Sequence, residues 1–355
     1  PSIRRGQVPR RWGRTYRTLT QPWIVATRVL SGGYENPVSA EHTRDMEMST
    51  TEVLAALFAL PEPHIDEDLV ALLKAHGPAP AGQGEEDPFR RLMRVAVRAD
   101  RRSAASIAGH QAAIRRLFPA TPSEAIVAIC ISEDRGPHPK FIDTTLVDGP
   151  QGPLLNGTKR WGSVAPDADL LYVAASVGRQ GDHNDVRMVA LPSDRAGVSL
   201  DLEPYVAYGP EMRIADITMD NVAVHAGEVI DGDAYINFIK PFRLIEDVYN
   251  TAGTQIGLFR LGMDHGWPDE RLETLVGLIS QAAAVSSTDM ASPAAILLLT
   301  SYLRASGEFW SDLWQNWTDV PASVIEKWSP ERGVLDVAAR ARETRRQTAW
   351  STVRS

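Results

Sequence analysis

An α+β protein, helical at both ends with a β region between, is what the apolar periodicity of this sequence predicts. Three observations carry that expectation. Apolar residues recur at helical spacing from about Ser39 to Phe118, run in short blocks broken by turn residues from Ala125 onward, and return to helical spacing after Asp231-Gly232-Asp233. The expected organisation is a basic arm over 1–38, a helical domain over 39–122, a β-barrel or sandwich over 123–233 and a helical bundle over 234–355.

In the arm, Arg4, Arg5, Arg10, Arg11, Arg14 and Arg17 precede the first acidic residue, Glu35. Such a segment could touch nucleotide phosphates or a partner, or form a solvated or subunit-wrapping tail. The net charge of −8 leaves no broad cationic surface, so a nucleic-acid partner is not expected. Next come Val53, Leu54, Leu57, Phe58 and Leu60, closing on Pro61, and then Leu69, Val70, Leu72 and Leu73, closing on Gly77. Both read as amphipathic helices. Pro78 to Asp87 reads as a loop. Phe89 to Arg102, continuing through Ala104, Ala105, Ile107, Ala108 and Ile114, reads as a helix pair whose small residues suit close packing.

Ala125 to Ile131 is a β-type apolar run, followed by Phe141 to Val147, Leu170 to Ser176, Val186 to Leu191, Val198 to Leu200 and the alternating segment Met212 to Val224. Asn156-Gly157 is the residue pair a tight hairpin needs and is expected to be one. Asp148-Gly149-Pro150 and Gly181-Asp182-His183-Asn184 are turn-rich links. The C-terminal helices are expected over Ile239 to His265, Asp269 to Ser286, Pro293 to Trp317 and Ala322 to about Val353. Ala252, Gly253 and Gly257 permit close helix approach in the first. Ile296 to Leu299 with Trp310, Trp314 and Trp317 offers apolar surface enough to expect at least a dimer.

A chain of 355 residues, 43% of them hydrophobic, is too long for one compact core. The single cysteine, Cys130, excludes an internal disulfide framework, no apolar run reaches the roughly 20 residues of a membrane span, and the opening residues lack a signal-peptide core. A cytoplasmic setting is the expectation, with neither membrane nor metal involved. The chemistry points to Trp161, where a flat aromatic face stands beside a small glycine and the hydroxyl of Ser163, a combination suited to a planar ligand.

The stretch Leu154-Leu155-Asn156-Gly157-Thr158-Lys159-Arg160-Trp161-Gly162-Ser163 resembles the middle-domain signature L-N-G-x-K-x-W-I-T-N of the acyl-CoA dehydrogenase family. That resemblance implies that Trp161 packs against a flavin ring and that the Ser163 hydroxyl bonds near its reactive nitrogen. Ala125 to Ile131 leads into Ser132-Glu133-Asp134-Arg135-Gly136-Pro137-His138-Pro139, similar to the strand and T-E-P-x-A-G-S-D loop of the family. It implies flavin contacts at Cys130 and Ser132 and a substrate contact at His138. Arg213 matches the arginine of the family's last β segment, implying a further substrate contact.

The departures from the family are as informative. Neither the R-x-x-F-G loop nor the Q-x-x-G-G segment that holds the distal part of FAD is present, and Ala339 falls where the usual catalytic Glu of the E-G-T motif would be. Some subfamilies carry the base on the first C-terminal helix, which points to Asp247 with Glu246 adjacent; a carboxylate within reach of the α carbon is all the proton transfer requires. A second reading, that the pair only solvates a helix face, stays open. The resemblance implies α,β-desaturation of an acyl thioester on CoA or a carrier protein. The cofactor would be FAD, firmly held, weakly held or lost, and an electron-acceptor protein would take the electrons. Two alternatives stand beside it: a catalytically incomplete partner subunit of a hetero-oligomer, and a flavin monooxygenase on the same fold.

Overall fold

The computed structural model describes residues 48–62, 68–79, 86–181, 183–203, 213–317, 319–329 and 339–355, so the expected basic arm lies outside them. Among the described residues four helices precede the strands: α1 (Thr50–Phe58), α2 (Leu69–His76), α3 (Pro88–Ala96) and α4 (Arg102–Leu117). Their starts are written locally. Ser49 and Glu52 form a reciprocal capping box at α1, and Asp87 caps α3 ahead of Pro88, the proline that suits a first helical turn.

Eight strands follow: β1 (Val127–Cys130), β2 (Thr145–Gly149), β3 (Gly152–Ser163), β4 (Leu170–Gln180), β5 (His183–Pro192), β6 (Val198–Glu203), β7 (Ile214–Ala223) and β8 (Val229–Ile230). They form one mixed sheet in the order β6-β7-β3-β2-β4-β5-β8, with β1 parallel to β4. The middle region is thus a single hydrogen-bonded sheet, and among the described residues no pairing joins β6 to β8 into a closed barrel.

Here one expectation is corrected. Asn156-Gly157 makes no hairpin; both residues lie inside β3, and the tight connection is one unit earlier, where Gly149 pairs with Gly152. Pairing along β7 carries the strand through, with a bulge between Leu155 and Gly157. Gly157 is needed for another reason: at φ +143° its Cα lies against Thr144, where a Cβ would come within 2.6 Å of the Thr144 Cα.

The C-terminal helices are α5 (Lys240–Asp264), entered through a π-helical turn at Tyr235–Ile239, then α6 (Asp269–Ser286), α7 (Pro293–Gln315), α8 (Ala322–Trp328) and α9 (Ala339–Arg354). Among the described residues the helix expected from Ala322 to Val353 is not continuous, its described parts being Ala322–Trp328 and Ala339–Arg354. Ser329, directly before Pro330, takes the extended conformation that a following proline favours, and α8 ends there.

Alternation along the strands sorts the sheet into two faces. Ile129, Tyr172, Ala174, Met188 and Ile214 join the helices of both ends in one large core, whereas Ala128, Cys130, Val173, Val189 and Ile217 fill a second core on the opposite face. Phe118 at the end of α4 stacks between Tyr172 of β4 and Phe238 of the π turn, at centroid distances of 3.9 and 4.8 Å. Helices α4 and α5 approach at backbone distance: a Cβ on Gly109 or on Gly253 would lie 2.3 Å from the carbonyl oxygen of Tyr249 or Ala105. The small residues read from the sequence make that contact.

Candidate functional site

The end of β3 is locally strained. A bulge separates Lys159 from Gly162, and two residues that are not glycine adopt left-handed backbone, Trp161 at φ +57° and Val164 at φ +54°. For bulky and β-branched side chains this costs roughly 1–3 kcal/mol each, and such residues gather where a structure is committed to a function. The distortion turns the indole outward, leaving Trp161 48% exposed. Beneath it a Cβ on Gly162 would meet Ile217 Cδ1 at 2.5 Å and Ala165 Cβ at 3.0 Å, so a larger residue there would displace the Ile217 side chain.

Around the indole the chain assembles a polar frame. The Arg160 amide donates to the Ser132 carbonyl at 2.8 Å, which brings the loop after β1 alongside β3. The Arg160 guanidinium donates to Asp134 at 2.6 Å and to the buried Asp216, and the Trp161 amide donates to Asp216 at 3.3 Å. Asp216 thus fixes both neighbours. Ser163 pairs with Ile214, the Val164 amide donates to the Arg213 carbonyl at 2.8 Å, and Arg213 itself bridges to Asp167.

Beneath the frame lies a buried ion pair. Lys159 has no exposed surface, and its ammonium donates to Glu133 at 2.7 Å; Glu133 also accepts from the amides of Asp143 and Thr144 and from the Thr144 hydroxyl. Burial pushes the Glu133 carboxyl up, but the Lys159 charge and these hydrogen bonds outweigh it and hold the group below its ordinary value.

Ser132, Trp161, Ser163 and Arg213 are therefore brought together. Cys130 is not. Strand alternation places its side chain in the core on the sheet face away from the helices, and burial pushes the thiol up to about 12, so as a side-chain contact to a flavin Cys130 is withdrawn. His138 is exposed at the start of the short turn Pro139–Phe141. Its Nδ1 accepts from the Lys140 amide at 3.3 Å, and its ring neighbours Phe141 and Tyr235.

The two carboxylates of α5 face different neighbours. Glu246 lies 3.0 Å from His110 Nδ1 on α4 and accepts from Arg243 at 3.1 Å. Burial raises its pKa, but His110 and Arg243 together hold it below the ordinary value. Asp247 accepts two hydrogen bonds from Arg342 of α9, at 2.6 and 3.1 Å, and lies 3.7 Å from Arg345. His110, Asp216, Arg342 and Arg345 were not singled out by the sequence. Their carboxylate, arginine and indole-segment partners stand 55 to 136 positions away, with no local pattern to signal them. Among the described residues no group of three or more His, Cys, Asp or Glu is placed to hold a metal ion, and no helix is long and apolar enough to cross a membrane.

The molecule has an acyl-CoA dehydrogenase-like fold. No protein-family model and no curated protein sequence matches the chain, but solved structures superpose on most of it. A chain of the structure described as the electron transferring flavoprotein of Acidaminococcus fermentans matches with TM-score 0.60 at 12% identity, over 89% of this chain and 99% of that one. FkbI, for biosynthesis of the methoxymalonyl extender unit of the Fk520 polyketide, matches with TM-score 0.54 at 17% identity, over 93% and 98%. Glutaryl-coenzyme A dehydrogenase in its glutaryl-CoA complex matches with TM-score 0.51 at 13% identity, over 78% and 85%.

Proposed function

We propose that the protein is a flavin-dependent oxidoreductase that desaturates an acyl thioester, carried on CoA or on a carrier protein. One observation carries the reading: the outward-facing Trp161, held by strained backbone and by Asp216, with Ser132 and Ser163 beside it. An exposed aromatic face fixed in this way fits a flat heteroaromatic ring, and Ser132 and Ser163 lie on the two segments that frame it. The structural neighbours named as an electron transferring flavoprotein and as glutaryl-coenzyme A dehydrogenase support the same cofactor and substrate class. The residues thus fit the ring end of FAD.

Bound FAD would supply the two-electron acceptor for the hydride leaving the β carbon. The chain's own task is to grip the ring with Trp161, Ser163 and Ser132 and to take the α proton. Asp247 is the base in this reading. Its carboxylate is first held by Arg342, so proton transfer requires substrate binding to draw that guanidinium aside. Glu246, engaged by His110 and Arg243, serves to position α5 against α4.

The pairing of both carboxylates favours a second reading, in which the fold binds flavin but removes no α proton, as a monooxygenase or a partner subunit would. Absorbance spectra separate the readings. Wild-type protein incubated with FAD and desalted should stay yellow, and Trp161→Ala should lose the colour with a small change in Tm, because about half of Trp161 is already exposed. Anaerobic addition of acyl thioester should bleach the wild type, while Asp247→Asn should bleach about 10²-fold to 10⁴-fold more slowly. Unchanged bleaching in that variant removes Asp247 as the base. No bleaching in the wild type, with reduced flavin and oxygen consumed, establishes the monooxygenase reading. A preparation that stays colourless in excess FAD points to a partner subunit.

A further inference from the structure

The short turn Pro139–Phe141 follows the loop that frames Trp161, and it gathers donors around one aromatic ring. Arg135 Cζ stands 5.0 Å and Lys140 Nζ 4.7 Å from the centroid of Phe141, and the imidazole of His138 lies 5.9 Å away. Because Nδ1 of His138 accepts from the Lys140 amide, the neutral ring carries its proton on Nε2, which makes that nitrogen a donor. The turn is fixed by the β4–β5 hairpin: Arg179 donates to the carbonyls of Lys140 and Ile142 at 3.1 and 2.7 Å, and Asn184 to those of Pro139 and Ile142 at 2.9 and 3.0 Å. The His138 ring also approaches Tyr235, at the entrance to α5, with 6.1 Å between centroids. Loop, hairpin and α5 therefore meet at this cluster. It adjoins the indole as well, since Asp134, which accepts from Arg160 at 2.6 Å, directly precedes Arg135, and Arg160 directly precedes Trp161. The carboxylates of the loop and turn are engaged: Glu133 accepts from Lys159, Asp134 from Arg160, and Asp143 from Nη2 of Arg135 and Nη2 of Arg179 at 2.8 Å each. Arg135, His138 and Lys140 are exposed, and the Lys140 ammonium meets the Phe141 ring rather than a carboxylate among the described residues.

We infer that Arg135, Lys140 and His138 bind a phosphate group on the arm that carries the acyl thioester. A guanidinium fork, an ammonium and an imidazole N–H on three separate side chains offer donors from several directions, which suits the tetrahedral oxygens of a phosphate better than the plane of a carboxylate. The two cationic groups are no more than about 10 Å apart, and Lys140 has a flexible stem with which to close on the anion. The inference rests on the function proposed above, which puts the thioester at Trp161. CoA and a carrier protein both hold the thiol through a pantetheine arm that ends in phosphate, so one site serves either carrier.

The test is a calorimetric titration of the purified full chain, in the presence of FAD, with hexanoyl-pantetheine, hexanoyl-phosphopantetheine and hexanoyl-CoA, which share one acyl group and thioester. The two phosphorylated forms should bind about tenfold more tightly than the bare pantetheine, and the gain should shrink as salt is raised, because the contacts are exposed. The double change Arg135→Gln with Lys140→Gln should reduce all three to the affinity of the bare form; Arg135→Lys alone should keep part of the gain. Asp143 retains Arg179 in these variants, and matched Tm values will show that they are folded. Equal gains for phosphopantetheine and CoA identify the phosphate next to the pantetheine, and a gain with CoA alone identifies the nucleotide phosphates; loss of either gain in the double variant supports the site. Equal affinity for all three forms, or a gain that survives in the double variant, overturns it. If the three forms bind equally and all bleach the flavin, this inference falls while the dehydrogenase reading stands. A gain without bleaching leaves the phosphate site and removes the desaturation; if no thioester binds, both fall.

Discussion

Lys159 carries an ammonium at a position with no exposed surface, and its stability there depends on a single carboxylate. Desolvating such a charge is costly, and what remains after one partner is removed is an unpaired ion in the interior. Lys159→Met is accordingly expected to lower the unfolding free energy by about 3–5 kcal/mol, read from urea denaturation. The double change Lys159→Met with Glu133→Gln should recover part of that loss, because no charge is then stranded and the amide oxygen can still accept from the Asp143 and Thr144 amides. The consequence for the site is direct: Lys159 is two residues from Trp161 and Glu133 is next to Ser132, so the pair sets the spacing of the two segments that frame the indole. Where the family signature has Asn, a residue that tolerates left-handed backbone, this chain holds a buried Val in that conformation.

Helices α4 and α5 set the second feature, a hydrogen-bonded imidazole and carboxylate closed into a helix interface. Glu246 has a folded pKa below its ordinary value, so its contribution to stability is present above the ordinary carboxylate range and is lost as pH falls through the depressed value. Urea midpoints measured from pH 6 down to pH 3 should therefore fall more steeply for the wild type than for Glu246→Gln, which starts from a lower midpoint at neutral pH. Elements differ in how legible they are. The contact of α4 with α5 could be read because small residues and a helical period are both local signals, and the boundaries Asp269–Ser286 followed from composition alone. The turn at Asn156-Gly157 misled because the dipeptide satisfies a local rule, while pairing with β7 and the approach of Thr144 decide the backbone. In the site, Trp161 and Ser163 were proposed from one contiguous motif and Ser132 from the loop after the first strand. The clamp of Arg342 on Asp247 was not, since it spans 95 positions and both residue types are at home on any helix surface.

For the whole molecule, the aromatic residues expected to form a subunit interface divide. Trp310 is buried within the chain and Trp317 packs edge-on against Trp267, whereas Trp314 on α7 and Trp350 and Val353 on α9 remain exposed, as do Phe58 and Met263 elsewhere. Isolated apolar residues on a surface are ordinary, but three on two adjoining C-terminal helices leave a face that association would cover. Static light scattering across a range of concentrations should give a mass of at least twice 38.9 kDa; a mass of one chain at every concentration would contradict it.

The large core that joins the two helical ends has a consequence for how the chain is made. Helix α4 ends at Leu117, and the helix whose backbone covers Gly109 is complete only at Asp264, about 150 residues later. At roughly 5–20 residues per second of synthesis, the apolar face of α4 waits about 10–30 s for its partner, far longer than helix formation or collapse requires. During that interval Ala105, Ile107, Ala108 and Ile114 have only α1 to α3 and the emerging sheet to cover them. Completion of the N-terminal half thus depends on residues that do not yet exist when it leaves the ribosome, and a nascent chain stalled before Lys240 presents to chaperones the surface that the finished protein devotes to its core.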